Sequence, residues 1–142
     1  MNKRFFVLGL AAVFAVMFAG CDNGSTDTGG SSQFTHISYS WTSGTMTISL
    51  SVIPGTVSGG ISTEGFTVEN RENGVLVPVH VVSAGVGGAN FLRLTVRLDE
   101  EGRVFRSVQR EIRVRYNAQA GDTFTVNGEP LRSFGWMTQT GT

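Results

Sequence analysis

The stretch "TMTISLSV" alternates without a break: Met46, Ile48, Leu50 and Val52 fall on one side, and Thr45, Thr47, Ser49 and Ser51 on the other. A period of two does not produce the apolar stripe of a helix, whereas it matches a strand with one buried face. The pattern recurs along the chain. "ISYSW" groups Ile37, Tyr39 and Trp41, and "VLVPVHVV" groups Val75, Val77, Val79 and Val81. "LRLTVRL" groups Leu92, Leu94, Val96 and Leu98, and "IRVRY" groups Ile112, Val114 and Tyr116. Turn residues separate the runs: "TSG" at 42–44, "PG" at 54–55, "ENG" at 72–74, "GVGG" at 85–88, "EEG" at 100–102, "NAQAGD" at 117–122 and "NG" at 127–128. About seven short strands with one inward face each predict an all-β, two-sheet antiparallel sandwich.

Two segments interrupt the pattern. Pro78 cannot donate to a strand ladder, so its strand is expected at an edge or at a bulge. In "RVFRSVQRE", Phe105, Val108 and Ile112 recur at helical spacing, which predicts one helical turn between two strands.

The N-terminus obeys other rules. Lys3 and Arg4 precede an uncharged apolar run from Phe5 to Ala19. The run is shorter than the ~20 residues that cross a bilayer as a helix. A basic start, an apolar stretch and small residues describe a secretory signal. The run ends in "FAGC", that is Phe18, Ala19, Gly20 and the chain's single cysteine, Cys21. An internal disulfide is therefore excluded.

This tetrapeptide resembles the lipobox of bacterial lipoproteins, with Phe18 in place of the usual leucine. The resemblance implies removal of residues 1–20, a diacylglyceryl group on the Cys21 thiol and acylation of its new amino group. Two or more acyl chains hold a protein stably on a membrane. The expected location is a cell membrane, by lipid anchor, at the outer membrane and cell surface or on the periplasmic face. Asp22 resembles the inner-membrane retention signal of some two-membraned bacteria, and the leaflet stays open. From Asp22 to Gln33 every residue is Asp, Asn, Gly, Ser, Thr or Gln. That composition buries no apolar area and predicts a flexible tether over 21–33. One domain, 34–142, remains.

A second resemblance lies in that domain. "GFTVENRENGVLVPVHVVSAG", "FLRLTVRL", "REIRVRYNAQAGD" and "EPLRSF" follow the order of the bacterial Ig-like repeats related to the SwmB cell-surface protein. Phe66, Val68, Tyr116, Pro130, Leu131 and Phe134 fall on that family's landmarks. Its usual "D-x-x-G-N" after "PL" is replaced by "RSFGW", and the segment Asp99–Arg110 is longer and more charged than the pattern. The resemblance implies an Ig-like sandwich serving adhesion, spacing or carbohydrate contact.

Chemistry is sparse. His36 should be solvated and His80 half-buried, and neither has a second ligand at a metal spacing. No "GxSxG" or phosphate loop occurs, and neither an enzyme nor a cofactor is expected. Asp99, Glu100 and Glu101 are either a solvated acidic turn or oxygen ligands for calcium. Loss of Lys3 and Arg4 leaves nine arginines against 11 acidic residues, a net of −2, which gives no case for nucleic acid.

Seven of those arginines lie between Arg93 and Arg115. Arg93, Arg97, Arg113 and Arg115 alternate with inward residues and should face outward. If their strands are neighbours, they form one patch suited to carboxylate, sulfate or phosphate. Otherwise they are a solvated face paired with Glu69, Glu72 or Glu111. The expected function is a non-enzymatic binding, adhesion or spacer module at the cell envelope, contacting an anionic glycan or an envelope protein. The alternative is a structural subunit docking through exposed aromatics, Trp136 or Phe105.

Overall fold

The computed structural model describes residues 32–142. The expected signal segment, the lipobox with Cys21 and nearly all of the tether lie outside the described residues. Among the described residues there is no helix; eleven strands run β1 (His36–Trp41), β2 (Met46–Ser51), β3 (Val57–Ser58), β4 (Phe66–Glu72), β5 (Val75–Leu76), β6 (Val79–Gly88), β7 (Phe91–Leu98), β8 (Arg110–Tyr116), β9 (Thr125–Val126), β10 (Glu129–Pro130) and β11 (Phe134–Gly141). Seven of them have six or more residues, and these are the strands of the expected antiparallel sandwich. The first sheet has the order β1-β2-β7-β6 and the second β11-β8-β4-β5. A small third sheet, β10-β9-β3, caps one end.

Alternation builds the core. Met46, Ile48 and Leu50 of β2 and Leu92, Leu94 and Val96 of β7 are fully buried, facing Ile112, Val114 and Tyr116 of β8. At the end where the chain enters, Phe34 is 4% exposed and packs on Phe124 and Phe134, with ring centroids 6.4 and 5.9 Å away. The Gln33 side chain, the last residue of the expected tether, accepts from Arg132 N at 2.8 Å and donates to the Pro130 carbonyl at 3.2 Å. Two Asn-Gly pairs turn the short hairpins, with φ of 52° and 82° at Asn73 and Gly74, and 54° and 81° at Asn127 and Gly128. These left-handed angles match the right-handed strand twist and suit Asn and Gly.

Two expectations are corrected. The segment Arg103–Gln109 forms no helical turn; it is the irregular crossover that carries the chain from the first sheet to the second. "VLVPVHVV" is not one strand. Pro78 lies where the chain leaves β5 in the second sheet and enters β6 in the first. Val77 is therefore buried at 6% exposure while Val75 is 64% exposed.

Candidate functional site

The four outward arginines lie on outer faces, Arg93 and Arg97 exposed and Arg113 and Arg115 half-buried, but they do not form one patch. β7 pairs with β2 and β6, and β8 pairs with β4 and β11. Arg93 and Arg97 thus lie on the outer face of the first sheet, and Arg113 and Arg115 on that of the second. The condition for a single patch fails because the crossover between β7 and β8 changes sheets.

On the second sheet's outer face two carboxylates, Glu69 and Glu111, offset most of the charge of three arginines, Arg71, Arg113 and Arg115. Register sets Glu69 opposite Arg113 and Arg71 opposite Glu111. Arg113 Nη1 donates to Glu69 Oε1 at 3.3 Å, and Arg71 Nη1 lies 2.8 Å from Glu69 Oε1 and 3.8 Å from Glu111 Oε1. A bulge between Phe134 and Met137 swings Trp136 over this face. Its ring lies 4.1 Å from the Arg113 guanidinium and 4.7 Å from that of Arg115, a cation–π stack. Trp136 is therefore half-buried under arginines, and Phe105, 2% exposed, is a core residue. The expectation of Phe105 as an exposed docking aromatic is corrected.

The first sheet presents a different surface. None of its strands β1, β2, β6 and β7 contains Asp or Glu. Its outward side chains are His36, Ser38 and Ser40 from β1, Thr47, Ser49 and Ser51 from β2, and Phe91, Arg93, Thr95 and Arg97 from β7, while on β6 His80 and Ser83 lie opposite Arg97 and Thr95 and Val82 and Val86 are exposed. Register aligns them in rows across the strands: Ser40, Thr47 and Thr95 in one, Ser38, Ser49 and Arg93 in the next. Arg93 lies 5.7 Å from the centroid of the Phe91 ring. That ring rests on Gly87 and Gly88, where any Cβ would run into it, so the glycines hold a place for the aromatic. Arg93 and Arg97 are both exposed, about 13 Å apart along the strand.

Carboxylates meet this surface only at its rim. Asp99 Oδ1 is 2.6 Å from His80 Nδ1, and Glu100 is 3.5 Å from Arg103. His80 is consequently an exposed, paired side chain rather than the half-buried one expected. His36 is exposed as expected, 2.8 Å from the Thr35 hydroxyl. Among the described residues no group of three His, Cys, Asp or Glu could hold a metal ion, and no helix is long and apolar enough to cross a membrane.

One cluster escaped the sequence reading. Arg110, 1% exposed, lies between the sheets at the end opposite Phe34. Its Nη1 donates to Asn70 Oδ1 at 2.7 Å and to Glu72 Oε2 at 2.9 Å, and its Nη2 to the Arg106 carbonyl at 2.6 Å. The guanidinium also faces Phe105 at 5.3 Å and Trp41 at 6.0 Å. Burial alone would raise the Glu72 carboxyl; hydrogen bonds from Arg110 and Asn70 and the charges of Arg110 and Arg103 outweigh it and hold Glu72 below its ordinary value. Of the Arg110 guanidinium only Nε has no hydrogen-bond partner, and the cluster's contacts are with the chain itself. Comparison with protein-family models, with curated proteins and with solved structures gave no match for this chain.

Proposed function

We propose that the chain is a bacterial lipoprotein held on the cell envelope by acylated Cys21, and that its sandwich is a non-enzymatic module binding an anionic glycan through the outer face of the first sheet. The observation that carries the ligand class is a face whose strands hold no Asp or Glu, with Arg93 beside rows of hydroxyls and Arg97 at the rim, next to His80 and the acidic turn Asp99–Glu101. Guanidinium forks pair with sulfate and carboxylate groups, and hydroxyl rows suit the many donors and acceptors of a polysaccharide. A pair of cations about 13 Å apart favours a chain ligand over one small anion. The anchor rests on "FAGC" and the polar stretch that follows. The resemblance to surface repeats of the SwmB kind agrees with an envelope role.

Retention on immobilised heparin tests the ligand class. The Arg93→Ser/Arg97→Ser variant is expected to bind at least about tenfold more weakly, roughly 1.4 kcal/mol. The Arg113→Ser/Arg115→Ser variant, altered on the face that carries Glu69 and Glu111, is expected to elute close to the unsubstituted chain. Equal elution of all three would sink the glycan reading. It would favour the second reading, a structural subunit docking on an envelope protein, for which the exposed Val75 and Leu76 of β5 offer apolar area.

The anchor has its own measurement. Palmitate labelling of cells producing the full chain should mark the protein, and Cys21→Ala should abolish the label and move the protein from the membrane to the soluble fraction. A label that survives the substitution would place the lipid elsewhere.

A further inference from the structure

The two edges of the first sheet are built differently. β6 is broken by register shifts between Val81 and Ser83 and between Val86 and Gly88. Such irregularities blunt an edge against further pairing. β1 carries no such device. All six of its residues pair with β2 in unbroken register, and "HISYSW" contains no proline, lysine, arginine or carboxylate. Among the described residues no strand pairs with its other side.

Register gives the phase of the free groups. Thr42 N donates to the Thr45 carbonyl at 2.9 Å, closing the β1–β2 hairpin with a hydrogen-bonded pair. Bonded and non-bonded pairs alternate from there. Residues 36, 38 and 40 turn their backbone groups to β2, and Ile37, Tyr39 and Trp41 turn theirs to the open side. The side chains of those same three residues face inward and are only partly buried. A cleft of about 410 Å³ lies beside Tyr39 and Trp41, between β1 and the last residues of the chain, Gln139 to Thr142.

We infer that β1 pairs antiparallel with β1 of a second copy of this chain, with Tyr39 opposite Tyr39 of that copy. The strand is complementary to itself in this register. Tyr39 forms a hydrogen-bonded pair across the two-fold axis, and Ile37 does so with Trp41 of the second copy. Ile37, Tyr39 and Trp41 meet their counterparts on the inward side, where cross-strand aromatic and β-branched pairs stabilise a sheet. Ser38 meets Ser40 of the second copy on the outer side. No like charges oppose one another along the seam, and the contact is isologous, so it closes at two copies. The product is an eight-stranded sheet, β6-β7-β2-β1 continued by β1-β2-β7-β6 of the second copy. Its two acid-free faces become one surface, with the β7 strands five spacings, about 24 Å, apart. A polymeric anion would then engage two Arg93 sites at once and gain avidity. The pairing itself does not depend on the glycan reading.

Cysteine pairing in the full chain reads the register. Ser38 opposite Ser40 of the second copy is a non-hydrogen-bonded pair, with Cα atoms about 4.5 Å apart and within disulfide reach. Ser38→Cys and Ser40→Cys chains carrying different tags are co-produced, and their membranes are mildly oxidised. A mixed disulfide dimer is expected from the co-production, with at least tenfold less product from either variant alone. No mixed product, or equal self-crosslinking of the single variants, overturns the register. Sedimentation of the detergent-extracted full chain gives an independent reading. The unsubstituted chain should sediment as a dimer. Ser38→Glu/Ser40→Glu, which sets carboxylates against each other across the seam at solvent-exposed positions, should sediment as a monomer with the melting of its fold unchanged. A monomeric unsubstituted chain, or a variant that stays dimeric, overturns the pairing.

Discussion

Arg110→Ala is expected to cost about 3–5 kcal/mol of folding stability, the usual penalty for breaking one side of a buried ion pair. That is a large share of the about 5–15 kcal/mol that holds a typical domain together. The loss has three sources. Glu72, whose side chain is only 10% exposed, keeps its charge without its closest cation. Asn70, fully buried, loses the donor to its Oδ1. The space between Trp41 and Phe105 empties. Denaturant unfolding at pH 7 measures the change. Arg110→Met refills much of the volume but still strands Glu72. The double variant Arg110→Met/Glu72→Gln removes both charges and should recover part of the loss relative to Arg110→Met alone. A cost below about 1 kcal/mol for Arg110→Ala, or no recovery in the double variant, would show that the cluster contributes little.

The same cluster sets an acid limit. Glu72 is held below its ordinary value in the folded chain. A depressed carboxyl contributes stability that is present above its unfolded value and lost as pH falls through the folded one. The Glu72 contribution therefore disappears on acidification and should be missing from the Arg110→Met/Glu72→Gln background.

Why Arg110 escaped the sequence reading is instructive beside what did not. Met46, Ile48 and Leu50, and Leu92, Leu94 and Val96, were legible because a half-buried strand imposes a period of two. The four outward arginines followed from the same parity. Parity also contained Arg110, which shares the inward phase of Ile112, Val114 and Tyr116. A charged side chain in a segment with helical spacing hid that signal. The grouping of the arginines was not legible, because alternation assigns a face within a strand and says nothing about which strands are neighbours. The length of the Asp99–Gln109 connection was the available hint: tight hairpins use two to five residues, and this longer segment crosses between sheets. His80 was expected to be half-buried, although Pro78 in the same run already indicated an edge or a bulge, and β6 is both an edge strand and a bulged one. Phe105 and Trp136 lie in an irregular crossover and at a bulge, where no periodicity applies.

Alkaline pH should weaken the fold through Tyr116. Its hydroxyl donates to Asp122 Oδ2 at 2.5 Å, and Asp122 Oδ1 accepts from Ser62 N at 3.0 Å. The pair thus ties β8 to two loops at the end where the chain enters. Burial first, then the hydrogen bond to Asp122 and the Asp122 charge, push the Tyr116 phenol up to about 12 from the ordinary 10.0. A raised phenol contributes stability that is complete below the unfolded value and lost as pH rises from about 10 toward the folded value. Two pH units correspond to about 3 kcal/mol. Tyr39 is also raised, by burial against the opposing charge of Arg110, so the unsubstituted chain should lose more than Tyr116 alone supplies. Tyr116→Phe isolates the one component. At pH 8 it should be less stable than the unsubstituted chain by about 1–2 kcal/mol, for the lost charge-assisted hydrogen bond. As pH rises above 10 the gap should close and then reverse, since the phenylalanine has no proton to lose. Parallel stability curves for the two chains between pH 8 and 11.5 would remove Tyr116 as the alkaline determinant.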